Sequence, residues 1–211
     1  MDDASLLAAW QDGDNAAGRH LVERYYAPIY RFFFSKVRDG ACEDLVQETF
    51  EVLIRRRGEY RGEGSMRAYL YGIARYVLIG HVRRRRRRRE RFEPAEHSVA
   101  DPASAGLSSI VADRELEKIV ADALRSLPLD DQIAIELKDW EGATQAELAA
   151  LFSVPRPTMA RRLQRARARL RRAIDARLAS PALRAELDQG LETCMRSIFG
   201  KIEGRLGRGA S

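Results

Sequence analysis

The sequence predicts an all-α protein: two small helical domains joined by a flexible linker, followed by a C-terminal helical extension. Three observations carry this. Apolar residues recur at three- and four-residue steps along most of the chain, and no run alternates in the manner of a strand. Between Glu93 and Ser109 the chain holds Pro94, Pro102, Gly106 and four serines but few large apolar residues, too little buried surface to offset chain entropy. Beyond it, two helical patterns separated by a Ser153-Val154-Pro155 turn have helix-turn-helix spacing. The expected divisions are 1–92, a linker at 93–112, 113–178, and an extension at 179–211 with a helix over about 181–199 and then a disordered tail from Gly200 to Ser211.

The first domain opens with a short helix whose apolar patch is Leu6, Leu7 and Trp10. Gly13-Asp14 supplies a break and an N-cap. The next helix buries Leu21, Tyr25, Ile29, Phe32 and Phe33 and runs to about Val37, with Pro28 expected to kink or interrupt it. Tyr25, Tyr26, Tyr30 and Phe32 to Phe34 read as core. From Cys42 to Arg57, Cys42, Val46, Phe50 and Leu53 make a buried stripe, while Asp44, Gln47, Glu48 and Glu51 share another face. A break containing Gly58, Gly62 and Gly64 leads to a long helix with Leu70, Ile73, Ala74 and Val77 inside. Tyr69, Tyr71 and Tyr76 lie beside that stripe, and seven arginines, Arg83 to Arg89, continue its end.

In the second domain, Leu116, Ile119, Val120, Ala123, Leu124 and Leu127 form a stripe that ends at Pro128, and the following helix runs to about Trp140. Thr144 and Glu147 form a capping box at the start of a short helix. Pro157 suits the first position of the next, which has Met159, Leu163, Ala166, Leu170 and Ile174 inside. Its outer faces carry Arg161, Arg162, Arg165, Arg167, Arg169, Arg171 and Arg172, with no acid between Arg156 and Arg172. An exposed helix with a merely structural role normally mixes both signs of charge. In the extension, Leu183, Leu187, Leu191, Cys194 and Ile198 return to helical spacing.

The 211-residue chain carries a net charge of +6, from 37 Lys and Arg against 31 Asp and Glu. Only Lys36, Lys118, Lys138 and Lys201 are lysines, so the cations are nearly all guanidinium, the group suited to phosphate forks and base edges. Cys42 and Cys194 lie far apart and read as buried thiols. With His20, His81 and His97 scattered, no metal-ligand spacing exists. No glycine-rich phosphate loop or nucleophile motif supports catalysis. No cofactor is expected. No segment is apolar for long enough to insert in a membrane, and no leader opens the chain, so a cytosolic protein is expected.

Four motifs agree in order and spacing with a known pattern: Asp44-Leu45-Val46-Gln47-Glu48-Thr49-Phe50, Tyr60-Arg61-Gly62, Tyr69-Leu70-Tyr71-Gly72-Ile73-Ala74-Arg75, and the basic run. Together they closely resemble the second region of bacterial sigma factors of the extracytoplasmic-function group. Ser126-Leu127-Pro128 to Arg172 resembles the fourth region of the same group, and the likeness begins near residue 5 and reaches about 175.

The resemblance implies a region 2 bundle and a region 4 helix-turn-helix in a dissociable, non-enzymatic RNA polymerase subunit that confers promoter specificity. Asp44, Gln47, Glu48 and Glu51 would dock on the clamp helices of the largest polymerase subunit. Tyr69, Tyr71, Tyr76 and the Gly58 to Ser65 loop would face the minus-ten element, where a base leaves the stack. Arg75 and the run, Arg83, Arg84 and Arg85 foremost, would hold strand phosphates. Arg156, Thr158, Arg161, Arg162 and Arg165 would contact the minus-thirty-five element. An anti-sigma factor is the implied negative partner. The family usually has Trp at Tyr69, Asn at Tyr76, Asp at Gly80 and Gly at Ser153, so the role carries over but no promoter sequence does. The rival readings are a stand-alone helix-turn-helix regulator and a degenerate sigma-like protein that binds polymerase without opening promoters. The extension lies beyond the family's usual end and is expected to pack on the protein's own domains or on a partner.

Overall fold

The structure, a computed structural model, describes residues 1–37, 40–60, 64–92, 115–178 and 193–202. All regular structure among them is helical. The chain divides into two compact units, Met1–Ala103 and Ser104–Ser211. The expected linker, and Leu183, Leu187 and Leu191 of the extension, lie outside the described residues.

In the first unit α1 (Asp3–Gln11), α2 (Asn15–Phe34), α3 (Ala41–Arg56) and α4 (Met66–Phe92) follow one another, with one 3-10 turn at Arg57–Glu59. Helix α2 is the centre, packing against α1, α3 and α4. Asp14 caps it as expected, its carboxylate accepting from the Ala16 and Ala17 amides. Leu21, Tyr25, Ile29, Phe32 and Phe33 are buried along its length. Pro28 does not interrupt it: α2 runs unbroken to Phe34, and Ser35 to Val37 form a closing turn. Proline removes one amide donor, and here the packing on three neighbouring helices outweighs that loss. Gly18 lets the Trp10 indole lie directly on α2, since a Cβ there would come within 2.5 Å of the ring. Tyr26 corrects the core reading. It is 46% exposed and stacks on Phe50 with ring centroids 6.5 Å apart.

In the second unit α5 (Glu115–Arg125), α6 (Leu129–Asp139) and α7 (Gln145–Leu151) pack on α8 (Arg156–Asp175). The five apolar residues expected inside α8 are its buried residues. The capping box is formed in full, Thr144 and Glu147 each accepting from the other's backbone amide. Pro157 takes the second helical position, with Arg156 at the first. Residues 193–202 form a last helix, α9, which buries Cys194, Met195, Ile198 and Ile202; it runs past Gly200, the expected start of a disordered tail, because Ile202 extends the buried stripe by one more turn. Both cysteines are buried free thiols.

Candidate nucleic-acid interface

Helix α3 has two faces of opposite character because its apolar and acidic residues are offset around a 3.6-residue turn. Cys42, Leu45, Val46, Thr49, Phe50 and Leu53 are buried. Asp44, Gln47 and Glu51 are exposed and Glu48 is half-buried. Gln47 Nε2 donates to Glu51 Oε1 at 2.9 Å, so the amide is oriented within the acid face. Glu48 pairs with Arg84 of α4 at 3.2 Å, so the acidic face and the basic run meet at their edge. Beside the acids stand two groups that sequence reasoning did not assign to a surface, Tyr26 and the 43% exposed Ile54. The available signal was Ile54's place seven residues after Gln47, two turns along the same face.

Along α4, Tyr69, Tyr76 and Arg83 recur at seven-residue steps and therefore share one line of the helix. Tyr76 is 73% exposed. Tyr69 is half-buried, its ring 4.9 Å from that of Tyr60, and its hydroxyl donates to the Arg56 carbonyl at 3.4 Å. Tyr60 in turn donates to the Gly64 carbonyl at 2.7 Å, and Gln11 of α1 donates to the carbonyls of Arg57 and Tyr60. These bonds anchor both described ends of the Gly58 to Ser65 segment beside the tyrosine line. Tyr71 corrects the sequence reading. At 1% exposure it lies in the core against Phe32, because residues 69 and 71 point some 200° apart on a helix and only one can face out. Arg75 and Arg85 are half-buried, and Arg83 and Arg84 are exposed. Burial lowers the His81 pKa, Arg84 and Arg85 lower it further, and Glu48 opposes them.

Helix α8 sorts its cations by partner. Arg167 pairs with Asp139 at 2.5 Å and Arg169 with Asp131, both acids on α6. Arg162 lies 4.9 Å over the Phe152 ring and 3.9 Å from Asp130. Arg156, Thr158, Arg161 and Arg165 are exposed at the N-terminal half, and Arg165 Nε reaches the Arg161 carbonyl at 3.4 Å. Cations on the two flanks of the buried stripe thus fix the helix, and the face opposite that stripe, with Arg161 and Arg165, remains as an acid-free cationic surface of the kind that enters a major groove. Arg162, expected at the DNA, is half-buried at its contacts with Phe152 and Asp130. Ser153 in the turn holds a left-handed φ of 52°. Among the described residues no cluster of His, Cys, Asp or Glu could hold a metal, and no helix is long and apolar enough to cross a membrane.

The Sigma-70 region 2 family model matches residues 21–88, and that of Sigma-70, region 4 matches 117–170. The ECF RNA polymerase sigma-E factor of Haemophilus influenzae is 30% identical over 179 residues, 79% of this chain and 92% of that protein. The chain belongs to the sigma-70 family, in its extracytoplasmic-function group. The Escherichia coli sigma-E factor is likewise 30% identical, over 79% of this chain and 91% of its own. In fold, the sigma factor resembles CnrH solved with the cytosolic domain of CnrY (TM-score 0.59, 24% identity, 82% of this chain and 97% of that one). It also resembles RpoE of Bartonella quintana solved with the anti-sigma factor NepR (TM-score 0.56, 23% identity, 74% and 98%). The region 2 match runs from within α2 to the basic run, and the region 4 match runs from within α5 to the last quarter of α8. As a sigma factor the chain directs promoter-specific initiation by RNA polymerase.

Proposed function

We propose that the exposed side of α3 is the polymerase-docking surface, the tyrosine line and basic run of α4 the minus-ten surface, and the free face of α8 the minus-thirty-five surface. The observation that carries this is the segregation of charge. Acid and amide occupy one face of α3, while Arg156, Arg161 and Arg165 stand on a helix with no acid of its own between Arg156 and Arg172. Asp44, Gln47, Glu48 and Glu51 complement a basic clamp-helix surface, which favours fast and specific docking. Tyr69 and Tyr76 supply rings against which unstacked bases rest. Arg75 and Arg83 to Arg85 hold strand phosphates, and Tyr71 supports the line from within. Arg161 and Arg165, four residues apart and exposed, read base edges, with Arg156 and Thr158 on the backbone.

The factor works in the cytoplasm and supplies discrimination without catalysis of its own. An anti-sigma factor is its negative partner, a reading supported by the fold-related CnrH and RpoE, each solved with a partner protein. The test is run-off transcription by purified core polymerase on genomic fragments with and without the protein. Discrete new start sites are expected; a chain that binds DNA fragments yet yields no transcript would make it a stand-alone regulator instead.

A further inference from the structure

Helix α1 and Gly18 precede the segment that matches Sigma-70 region 2, yet the end of α1 reaches the tyrosine line. Where a helix ends, its last carbonyls have no partner within the helix and must find one elsewhere. At the end of α3 side chains supply them. Arg57 Nη1 folds back to the Ile54 carbonyl at 2.9 Å, and the Tyr69 hydroxyl of α4 donates to the Arg56 carbonyl at 3.4 Å. The carbonyls of Arg57 and Tyr60, at the two sides of the 3-10 turn, both accept from Gln11 Nε2, at 2.5 and 3.3 Å. One carboxamide, 46 and 49 residues distant in sequence, therefore closes the turn from outside.

Gln11 is itself held in place. The preceding Trp10 is 6% exposed and lies against α2 at Gly18, where a Cβ would come within 2.5 Å of its ring. The Arg57 guanidinium stands 5.6 Å over that ring, so the residue whose carbonyl accepts from Gln11 is also bound by its side chain to Trp10. Adjacent residues of α1 thus grip the turn at backbone and side chain. Tyr60 leaves the turn in an extended conformation, φ −74° and ψ 116°, with its ring 4.9 Å from that of Tyr69 and tilted 47° to it. Gln11 is exposed, and water competes for an exposed amide, so its bonds set the geometry of the turn more than the stability of the unit.

We propose that Gln11, backed by Trp10, is a positioning residue for promoter recognition. It fixes the turn that carries Tyr60, and so holds the Tyr60 and Tyr69 rings in the arrangement that receives an unstacked base of the minus-ten strand. This role rests on the tyrosine line being the minus-ten surface. Gln11 acts through the rings and touches no DNA itself. Rings already in place spare the complex the cost of ordering them when the strand arrives, so the brace raises affinity for single-stranded DNA without adding a contact.

The experiment uses the full chain bound to core polymerase. Its probe is a fluorescent non-template oligonucleotide spanning the minus-ten element of a promoter located by run-off transcription. Gln11→Met keeps length and neutrality but has no donor. It should weaken strand binding about five-fold, the worth of one neutral hydrogen bond, with the affinities for core polymerase and for a minus-thirty-five duplex unchanged. In a Tyr60→Ala, Tyr69→Ala background the same substitution should cost nothing more, because the rings through which it acts are gone. In the free protein, Gln11→Met should shift the NMR ring resonances of Tyr60 and Tyr69 and leave those of the buried Tyr71 in place. Wild-type strand binding by Gln11→Met, an equal loss once the rings are gone, a parallel loss of core binding, or unmoved Tyr60 and Tyr69 resonances would each overturn the positioning role. If Tyr60→Ala with Tyr69→Ala binds the strand like the wild type, the minus-ten reading falls instead, and the ring resonances still decide whether Gln11 braces the pair.

Discussion

Single residues explain why the two units are stable where they are and where they can be improved. Ser153 sits at a φ of 52° in the helix-turn-helix turn, a conformation that costs an L-residue roughly 1–2 kcal/mol and glycine little. Ser153→Gly should raise the urea midpoint of the second unit by the equivalent of about 1 kcal/mol, part of the gain being offset by glycine's greater freedom when unfolded. His81 makes the opposite kind of statement, about acid. Its folded pKa lies below the ordinary value because burial, Arg84 and Arg85 all oppose the cation. The unfolded chain therefore takes up this proton first as pH falls, so stability is full above about pH 6.5 and declines below it, down to the folded pKa. Urea unfolding at pH 7 and 5.5, followed by hydrogen exchange at α4, should show a smaller loss on acidification in His81→Gln than in the wild type.

At the scale of elements, the arginines of α8 divide by what they touch. Arg169 pairs with Asp131, whose side chain is only 8% exposed, so Arg169→Ala should destabilise the second unit by about 1–2 kcal/mol, moderated because Arg169 itself is half in water. Arg161→Ala and Arg165→Ala should leave that stability unchanged. Each should instead weaken promoter-fragment binding and lower the salt dependence of the affinity by about one counterion. Fluorescence anisotropy at several salt concentrations, set beside thermal melts of the same proteins, separates the two classes. Were Arg161→Ala to melt early and bind normally, the assignment of faces on α8 would be wrong.

For the whole molecule, the division into Met1–Ala103 and Ser104–Ser211 predicts separable losses. Asp44→Lys with Glu48→Lys reverses the α3 surface and removes the Glu48 partner of Arg84, an exposed pair worth little to stability. The double variant should lose co-elution with core polymerase by more than about ten-fold while keeping the wild-type affinity of α8 for a minus-thirty-five fragment. Loss of both would mean that the substitutions unfold the chain and would be visible by circular dichroism.

The helices, their apolar stripes, the capping box and the acid face of α3 were all legible in the sequence, because each depends on residues within a few turns of one another. Even the family could be read, since its motifs lie in local segments. What the tertiary structure decided was partnership between segments. Tyr71 points inward and Tyr76 outward because α2 covers one side of α4, and the local pattern, which sets them on opposite flanks of the same stripe, did not tell them apart. Pro28 is carried through α2 by contacts from three other helices. Arg162 and Arg169 turn to α6 and Arg161 does not, as spacing along α8 alone could not say. Lys201 reaches Glu117 across more than eighty residues. Periodicity fixes which face of a helix is buried; only the packed chain determines what lies against it.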